Sequence, residues 1–310
     1  MEEKLANNTN SHNPKISVGI PVYNGEKFIR KSVESVLQQT YGNFELIISD
    51  NGSTDQTESI CRNFAQADKR IKYTRHETNS GYVWNFNSVL QQADTEYFMW
   101  AGADDVWHPE FIERNLSFLE KNQGFIGSTS EVDLFYETWE EKDFERFKNT
   151  KPNKKHQWLR PLVGNYEDKV RFLFTFHIFD YAYSIYRTEI LKKCIIKKKF
   201  LSWEIPVILK LLKYGDLNVE DVVMTYKYMG SKTDIDYRKK LFRHTRKQDF
   251  GILLSIFPFV PLTIHVLTVV GPKIFFKHLL KGFIKDNYRA QRLVFLDIFS
   301  RGKIKGNIES

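Results

Sequence analysis

Along roughly the first 130 residues, apolar positions alternate between continuous runs and helical stripes. Ile16–Val22 is a β-rich run closed by Tyr23-Asn24-Gly25. From Glu26 to Gln39 the apolar residues Phe28, Ile29, Val33, Val36 and Leu37 fall on one helical face. Phe44–Ser49 is apolar without polar alternation, as a strand buried on both faces requires. Asp50-Asn51-Gly52-Ser53 supplies turn chemistry, and Thr54 or Asp55 can cap a helix reaching about Ala67. A strand over Ile71–Arg75, a helix over Val83–Ala93 and a strand over Glu96–Trp100 follow. After a loop at Ala101–Val106, Pro109 starts a fourth helix that runs to about Lys121.

Strand, short loop and helix repeated in this way predict an α/β domain built on a parallel sheet with helices on both faces. In such open sheets ligands bind outside the carboxyl ends of the strands. The loops at 23–25, 50–55 and 101–106 are therefore the expected site.

Beyond Val132 the signal weakens. Residues 137–169 are hydrophilic and read as loops or an insertion over the site, and Glu204–Tyr214 is helix-like. A compositional break at Met229-Gly230-Ser231 sets the expected division: a flexible arm at 1–14, a body at 15–230 with halves at 15–125 and 126–230, and a tail at 231–310. The arm is polar and carries no apolar run, so it reads as neither signal peptide nor anchor.

Composition changes the picture mainly through charge. With 42% hydrophobic and 27% charged residues in 310, the chain is not an intrinsically disordered one. The net charge of +8 is uneven: residues 231–310 hold 16 Lys and Arg against 6 Asp and Glu, and the rest is close to neutral. That tail contains Gly251–Gly271, 21 residues without a formal charge, interrupted by Pro258 and Pro261 and flanked by basic residues on both sides. Basic flanks on both sides disfavour a single span. A broken helical pair lying on an anionic membrane surface is expected, and a pair packed on the body or on a second subunit of a homodimer is the rival. Nucleic acid is not expected, because no binding motif accompanies the charge. Two cysteines, Cys61 and Cys194, point to a reducing compartment and to ordinary core or surface thiols.

Carboxylates gather on the expected loop edge: Asp50, Asp104 and Asp105, with Asp55 near. Adjacent acids repel and call for a cation, and hard oxygen ligands suit Mg2+ or Mn2+ shared with a substrate's phosphates.

Val18-Gly19-Ile20-Pro21-Val22-Tyr23-Asn24-Gly25-Glu26 resembles the opening motif of the inverting family 2 glycosyltransferases. Phe44-Glu45-Leu46-Ile47-Ile48-Ser49-Asp50-Asn51-Gly52-Ser53-Thr54-Asp55 resembles their second motif. Asn79-Ser80-Gly81, followed by Asn85 or Asn87, resembles the loop before the metal motif, and Trp100-Ala101-Gly102-Ala103-Asp104-Asp105 stands at that motif's place. The resemblance spans about residues 15–125 and implies a GT-A fold, a Rossmann-like mostly parallel sheet flanked by helices, here with a helical C-terminal extension. It implies transfer of a sugar from a nucleotide-diphosphate donor to a hydroxyl of a glycan or lipid-linked acceptor. Pro21, Tyr23, Glu26, Asp50, Asn79, Gly81 and Asp104 would surround the donor, with Tyr23 on the base, Asp50 at its edge and Asp104 at the ribose or sugar. Asp105, with Asp104, would hold Mn2+ or Mg2+ at the diphosphate. The chain departs from the pattern at Gly102, where many members carry an acid.

Inversion needs a general base. Leu201-Ser202-Trp203-Glu204 resembles the family's base segment, which makes Glu204 the candidate and Asp180 the second. His76 and His177 accompany no Ser or Cys motif and read as structural. Among the tryptophans near the site, Trp107 or Trp203 is expected to face sugar. Synthesis of a bacterial surface polysaccharide or lipid-linked glycan, from the cytoplasmic face of the plasma membrane, fits this reading. An inactive sugar-binding homologue and a sugar nucleotidyltransferase remain as alternatives.

Overall fold

β1 (Ile16–Val22) and β2 (Phe44–Asp50) are buried at every residue, which explains their unbroken apolar runs. Their polar exceptions pair with one another, as where Ser17 Oγ donates to Glu45 Oε1 at 2.6 Å. The computed structural model describes residues 14–135, 159–176, 180–197, 202–228 and 260–285. Most of the expected arm, the hydrophilic stretch 136–158, His177, the break at 229–231 and residues 251–259 lie outside the described residues.

Around these strands the chain follows the expected alternation. α1 (Ile29–Leu37), α2 (Thr57–Ala67), β3 (Ile71–Arg75), α3 (Tyr82–Gln91) and β4 (Tyr97–Trp100) succeed one another. β5 (Val106–Trp107) and α4 (Phe111–Lys121) complete the first half. β6 (Phe125–Phe135), α5 (Tyr166–Phe176), a 3-10 turn at Asp180–Tyr183, β7 (Ile185–Arg187), α6 (Thr188–Cys194), α7 (Glu204–Leu211) and β8 (Asp216–Tyr228) form the second.

The eight strands among the described residues join one sheet in the order β3-β2-β1-β4-β7-β6-β8-β5. β3, β2, β1 and β4 are parallel, as the loop spacing requires. β7 then runs antiparallel to both β4 and β6, and β5 runs antiparallel to β8. The second half thus turns the parallel sheet into a mixed one.

Two apolar cores cover the sheet. One gathers residues of α1, α2 and α4 with Val18, Ile20, Leu46, Ile48 and Met99. The other gathers residues of α3, α5, α6 and α7 with Phe98, Trp100 and Tyr186. Cys61 and Cys194 are buried free thiols, pushed up by that burial to about 12 and about 11 respectively.

The described part of the tail belongs to the second core. α8 (Val260–Val270) and α9 (Pro272–Lys285) meet at a 120° bend. Gly271 makes the bend at φ 81°, a conformation that glycine adopts without strain. Leu262, Val266, Val269, Phe275, Leu279 and Phe283 are buried in the same cluster as Ile205 and Ile208 of α7. Among the described residues no single helix is long and apolar enough to cross a membrane, while the bent pair passes by length and composition together.

Candidate active site

The carboxyl ends of β1, β2 and β4 lie side by side, and their loops are laced together by hydrogen bonds. Asn24, in the left-handed region at φ 52°, donates its N–H to Ser53 Oγ at 2.9 Å and accepts Thr54 N–H on Oδ1 at 2.9 Å. Gly25 N–H donates to Thr57 Oγ1 at 2.8 Å. Glu26 N–H donates to Asp55 Oδ2 at 3.1 Å, and Glu26 Oε2 accepts Gln56 N–H at 3.0 Å. Burial opposes ionisation of Asp55, but bonds from Thr57 and Glu26 outweigh it and hold its carboxyl below the usual range. Asp55 also accepts Thr57 N–H at 3.0 Å, but from one residue before the N-cap: the N-cap is Gln56, which makes no side-chain cap bond, rather than the expected Thr54 or Asp55.

The next loop is tied in the same manner. Asn51 Nδ2 donates to Asn79 Oδ1 at 2.9 Å and to the Gly81 carbonyl at 3.2 Å, while Ser80 N–H donates to Asn51 Oδ1 at 3.0 Å. Asn79 and Gly81 therefore shape the loop that opens α3. Pro21 is buried in β1, whereas Tyr23 is 45% exposed at its end. Asp50 is fully buried: Oδ1 accepts Ser53 N–H at 2.8 Å and Oδ2 accepts the Tyr73 hydroxyl at 2.9 Å. It forms the floor of this edge and presents no surface to solvent. Burial, then the bond to Asp50, raises the Tyr73 hydroxyl above its ordinary range. His76 Nε2 lies 2.8 Å from Ser49 Oγ, which donates to Asn85 Oδ1 at 2.6 Å, so His76 and Asn85 are structural.

Asp104 and Asp105 follow β4 and differ sharply. Asp104 is exposed, whereas Asp105 is 3% exposed and accepts Tyr228 N–H on Oδ1 at 3.1 Å. The Asp105 carboxyl is raised, first by burial and then by the Asp104 charge, and Asp104, though its side chain reaches solvent, is raised by the protein that crowds around it. The departure at Gly102 has a physical reason here. A Cβ there would lie 2.4 Å from Asp105 Oδ2, so Asp105 fills the space a side chain would need.

A cavity of about 270 Å3 is lined by Phe86, Asp180, Ala182, Tyr183, Trp203, Glu204 and Lys227, the last of which is close enough to act on Asp104 and Asp105. Lys227, near the end of β8, bonds Asp180 Oδ1 at 2.5 Å and stands 4.6 Å from the centre of the Tyr183 ring. Burial pulls the Lys227 ammonium down, but Tyr183, Asp180 and Asp105 outweigh that and raise it. Its charge also reaches Asp104 and Glu204, so all four acids lie within the field of one cation. Glu204, the first residue of α7, is raised by burial. Of the two candidate bases, Asp180 is held in an ion pair and Glu204 has no such partner among the described residues.

Tryptophan placement differs from expectation in one case. Trp107 lies in β5, is 1% exposed and cannot face a ligand. Trp203 lines the cavity but also packs edge-on against Trp100 at 5.5 Å. Lys227 was the residue missed. The signal available was a lone cation, flanked by Tyr226 and Tyr228, at the end of the strand that begins at Asp216.

As a metal site the arrangement offers hard oxygens but few. Among the described residues no group of three His, Cys, Asp or Glu side chains could hold an ion. One exposed carboxylate backed by a buried one, both raised, fits a divalent ion that takes its other ligands from phosphates and water.

The model of the family described as glycosyl transferase family 2 matches residues 17–195. An uncharacterised glycosyltransferase of Haemophilus influenzae is 36% identical over 124 residues, which is 40% of this chain and 38% of that protein. One of Rickettsia typhi is 35% identical over 112 residues, 36% and 34% of the two chains. The matched stretch thus spans well under half the length of these curated relatives. Among solved structures, TarS 1-349 from S. aureus in complex with UDP-GlcNAc has a TM-score of 0.54 at 18% identity, over 82% of this chain and 73% of that one. The mannosyltransferase PcManGT from Pyrobaculum calidifontis, in complex with GDP-Man and Mn2+, has a TM-score of 0.58 at 15% identity, over 94% and 75%. At such identities the likeness is one of fold, and it is to GT-A enzymes. The family model covers more than half the chain and its span includes the three laced loops and the Asp104-Asp105 pair: the chain belongs to glycosyl transferase family 2.

Proposed function

We propose that this chain transfers a glycosyl group from a nucleoside diphosphate sugar to an acceptor hydroxyl, with inversion at the anomeric carbon. The observation that carries this reading is the cleft of about 270 Å3 lined by Glu204, Asp180 and Lys227, where Glu204 is raised and has no ion-pair partner among the described residues and the Lys227 charge also reaches Asp104 and Asp105. Tyr23 offers an exposed ring for the base at the edge of the cleft, with the bonded loops at 24–26 and 51–55 beside it. Asp50, Glu26, Asn79 and Gly81 hold those loops in shape.

Glu204 takes the proton of the acceptor hydroxyl as its oxygen attacks the anomeric carbon. The bond from that carbon to the diphosphate oxygen breaks, and its electron pair leaves with the nucleoside diphosphate. Asp104, backed by Asp105, would hold Mn2+ or Mg2+ at the diphosphate, where a divalent ion neutralises the charge that develops on the leaving group. Lys227 occupies Asp180 in an ion pair, which leaves Glu204 as the base. A glycan hydroxyl, on a lipid-linked or growing surface polysaccharide, is the acceptor we favour.

Incubation with a panel of uridine, guanosine and thymidine diphosphate sugars, followed by product analysis, tests the reaction. Glu204→Gln should bind the donor normally and lose transfer by about 100-fold or more. Wild-type transfer rates in Glu204→Gln would sink the assignment of the base. Nucleotide-sugar binding without turnover in the wild type would favour an inactive sugar-binding homologue.

A further inference from the structure

The sequence of α9 contains a four-residue repeat: Lys273-Ile274-Phe275-Phe276, Lys277-His278-Leu279-Leu280, Lys281-Gly282-Phe283-Ile284 and then Lys285. A repeat of four drifts by about 40° per copy around an α-helix of 3.6 residues per turn. The helix widens to a π-turn over Phe275–Leu279, and a wider turn counteracts that drift. The repeat therefore stays in rows along the helix.

The rows have different fates. Phe275, Leu279 and Phe283 are 2%, 2% and 5% exposed and join the core. The neighbouring row does not: Phe276 and Ile284 are each 60% exposed, and Leu280 is half-buried between them. Beside it stand Lys273, Lys277, Lys281 and Lys285, all exposed. The helix is also fixed in rotation. Lys277 Nζ and His278 Nε2 both reach Glu167 Oε1 of α5 at 2.7 Å, and these bonds hold the Glu167 carboxyl down at about 2.

We propose that this outward face of α9, an apolar row beside a lysine row, docks the protein on an anionic lipid surface. Phe276, Leu280 and Ile284 would enter the headgroup boundary while the lysines meet lipid phosphates. Charge decides against a second copy as the occupant. A two-fold contact through this face would set one lysine row against another, because such interfaces pair a patch with itself. An anionic surface satisfies both rows at once. The inference stands apart from the assignment of the base and the donor.

The test is flotation of the full chain with phosphatidylcholine vesicles, alone and with about a third phosphatidylglycerol. The wild type should float with the anionic vesicles only, and less so as salt rises. Each lysine near an anionic surface strengthens binding about fivefold, so K273Q/K281Q/K285Q should weaken it by about 100-fold. F276S/I284S should also lose flotation, and both variants should keep the wild-type melting temperature and donor binding. Wild-type flotation in either folded variant would overturn the proposal, because some other segment would then hold the lipid. A wild-type dimer that F276S/I284S converts to monomer, without lipid binding in either, would assign the face to a second copy and overturn it too.

Discussion

Asp104→Asn should stabilise the donor-free protein while crippling its response to a divalent ion. Asp105 Oδ2 and Asp104 Oδ1 lie 2.4 and 3.2 Å from the position of a Cβ on Gly102, so they crowd one point of space. The two oxygens are therefore no more than about 5.6 Å apart, and unit charges at that distance repel by roughly 0.7 kcal/mol at the dielectric of water and about 3 kcal/mol at an effective dielectric of about 20. Because Asp104 is exposed, the lower end applies, and removing its charge should gain about 1 kcal/mol. In a chain of this size that is a rise of roughly 2 °C in Tm. The pH dependence follows from the raised carboxyls. A group raised on folding contributes stability at low pH and loses it as pH climbs through the raised value. Asp104→Asn should therefore outlast the wild type above that value and match it near pH 4, below the usual carboxyl range. With Mn2+ and a nucleoside diphosphate the order should reverse, since a ligand bound only by the folded state raises Tm. Thermal melts from about pH 4 to 8, with and without Mn2+ plus uridine, guanosine or thymidine diphosphate, read all of these. A variant less stable than wild type at neutral pH, or one with an undiminished metal-dependent shift, refutes the reasoning.

If Glu204 is the base, kcat should fall as pH is lowered through a midpoint above the ordinary glutamate value of about 4.3, since burial raises the carboxyl and protonation removes the base. A pH–rate profile in Glu204→Gln should be slow and lack that acid limb; a persisting limb would transfer it to Asp104 or Asp105. Gly102→Ala should destabilise the protein by about 1–3 kcal/mol in a denaturant titration and weaken donor affinity, because its Cβ would collide with the buried Asp105 carboxylate. Thr188→Val should be neutral or stabilise by about 1 kcal/mol, because the Thr188 hydroxyl is buried without a hydrogen-bond partner among the described residues; a loss beyond about 1 kcal/mol would contradict that account.

The half of the fold that is readable in the sequence is the half whose contacts are local. β1 and β3 have the expected bounds and β2 differs only by ending at Asp50; β1 and β2, buried at every residue, carry no polar alternation to obscure them, whereas β3 is a largely exposed strand with only Ile71 buried. Once the parallel order is known, the strand ends bring the loops at 23–25, 50–55 and 101–106 together without further information. What could not be read depends on partners far along the chain. β5 is two residues long, and Val106 and Trp107 become a strand only by pairing with Tyr226 and Thr225. That pairing also buries Trp107, against the expectation that it faces sugar. The difference between Asp104 and Asp105 has the same origin, because an N–H donated by Tyr228 turns Asp105 inward. Lys227 and Asp180 stand 47 residues apart, and nothing local marks them as a pair.

The tail and the cleft are not independent parts, although composition separates them. A general base needs its carboxylate held to within about 0.5 Å, and a side chain opening an eight-residue helix is held only as well as that helix is. Six residues of α7 are buried behind Glu204, and α8 forms one of the surfaces they pack against. Lys213, just beyond α7, closes the contact by donating to the Val269 carbonyl at 2.5 Å. α8 leads through the single bend at Gly271 into α9, whose inner row is buried in the same core. Every link from the outward row of α9 to the base is therefore a packed contact rather than a linker. Docking through α9 would hold the cleft at one height and orientation above a membrane. For an acceptor carried on lipid, that converts a search in three dimensions into one along a surface, and the entropy of bringing the hydroxyl to Glu204 falls accordingly.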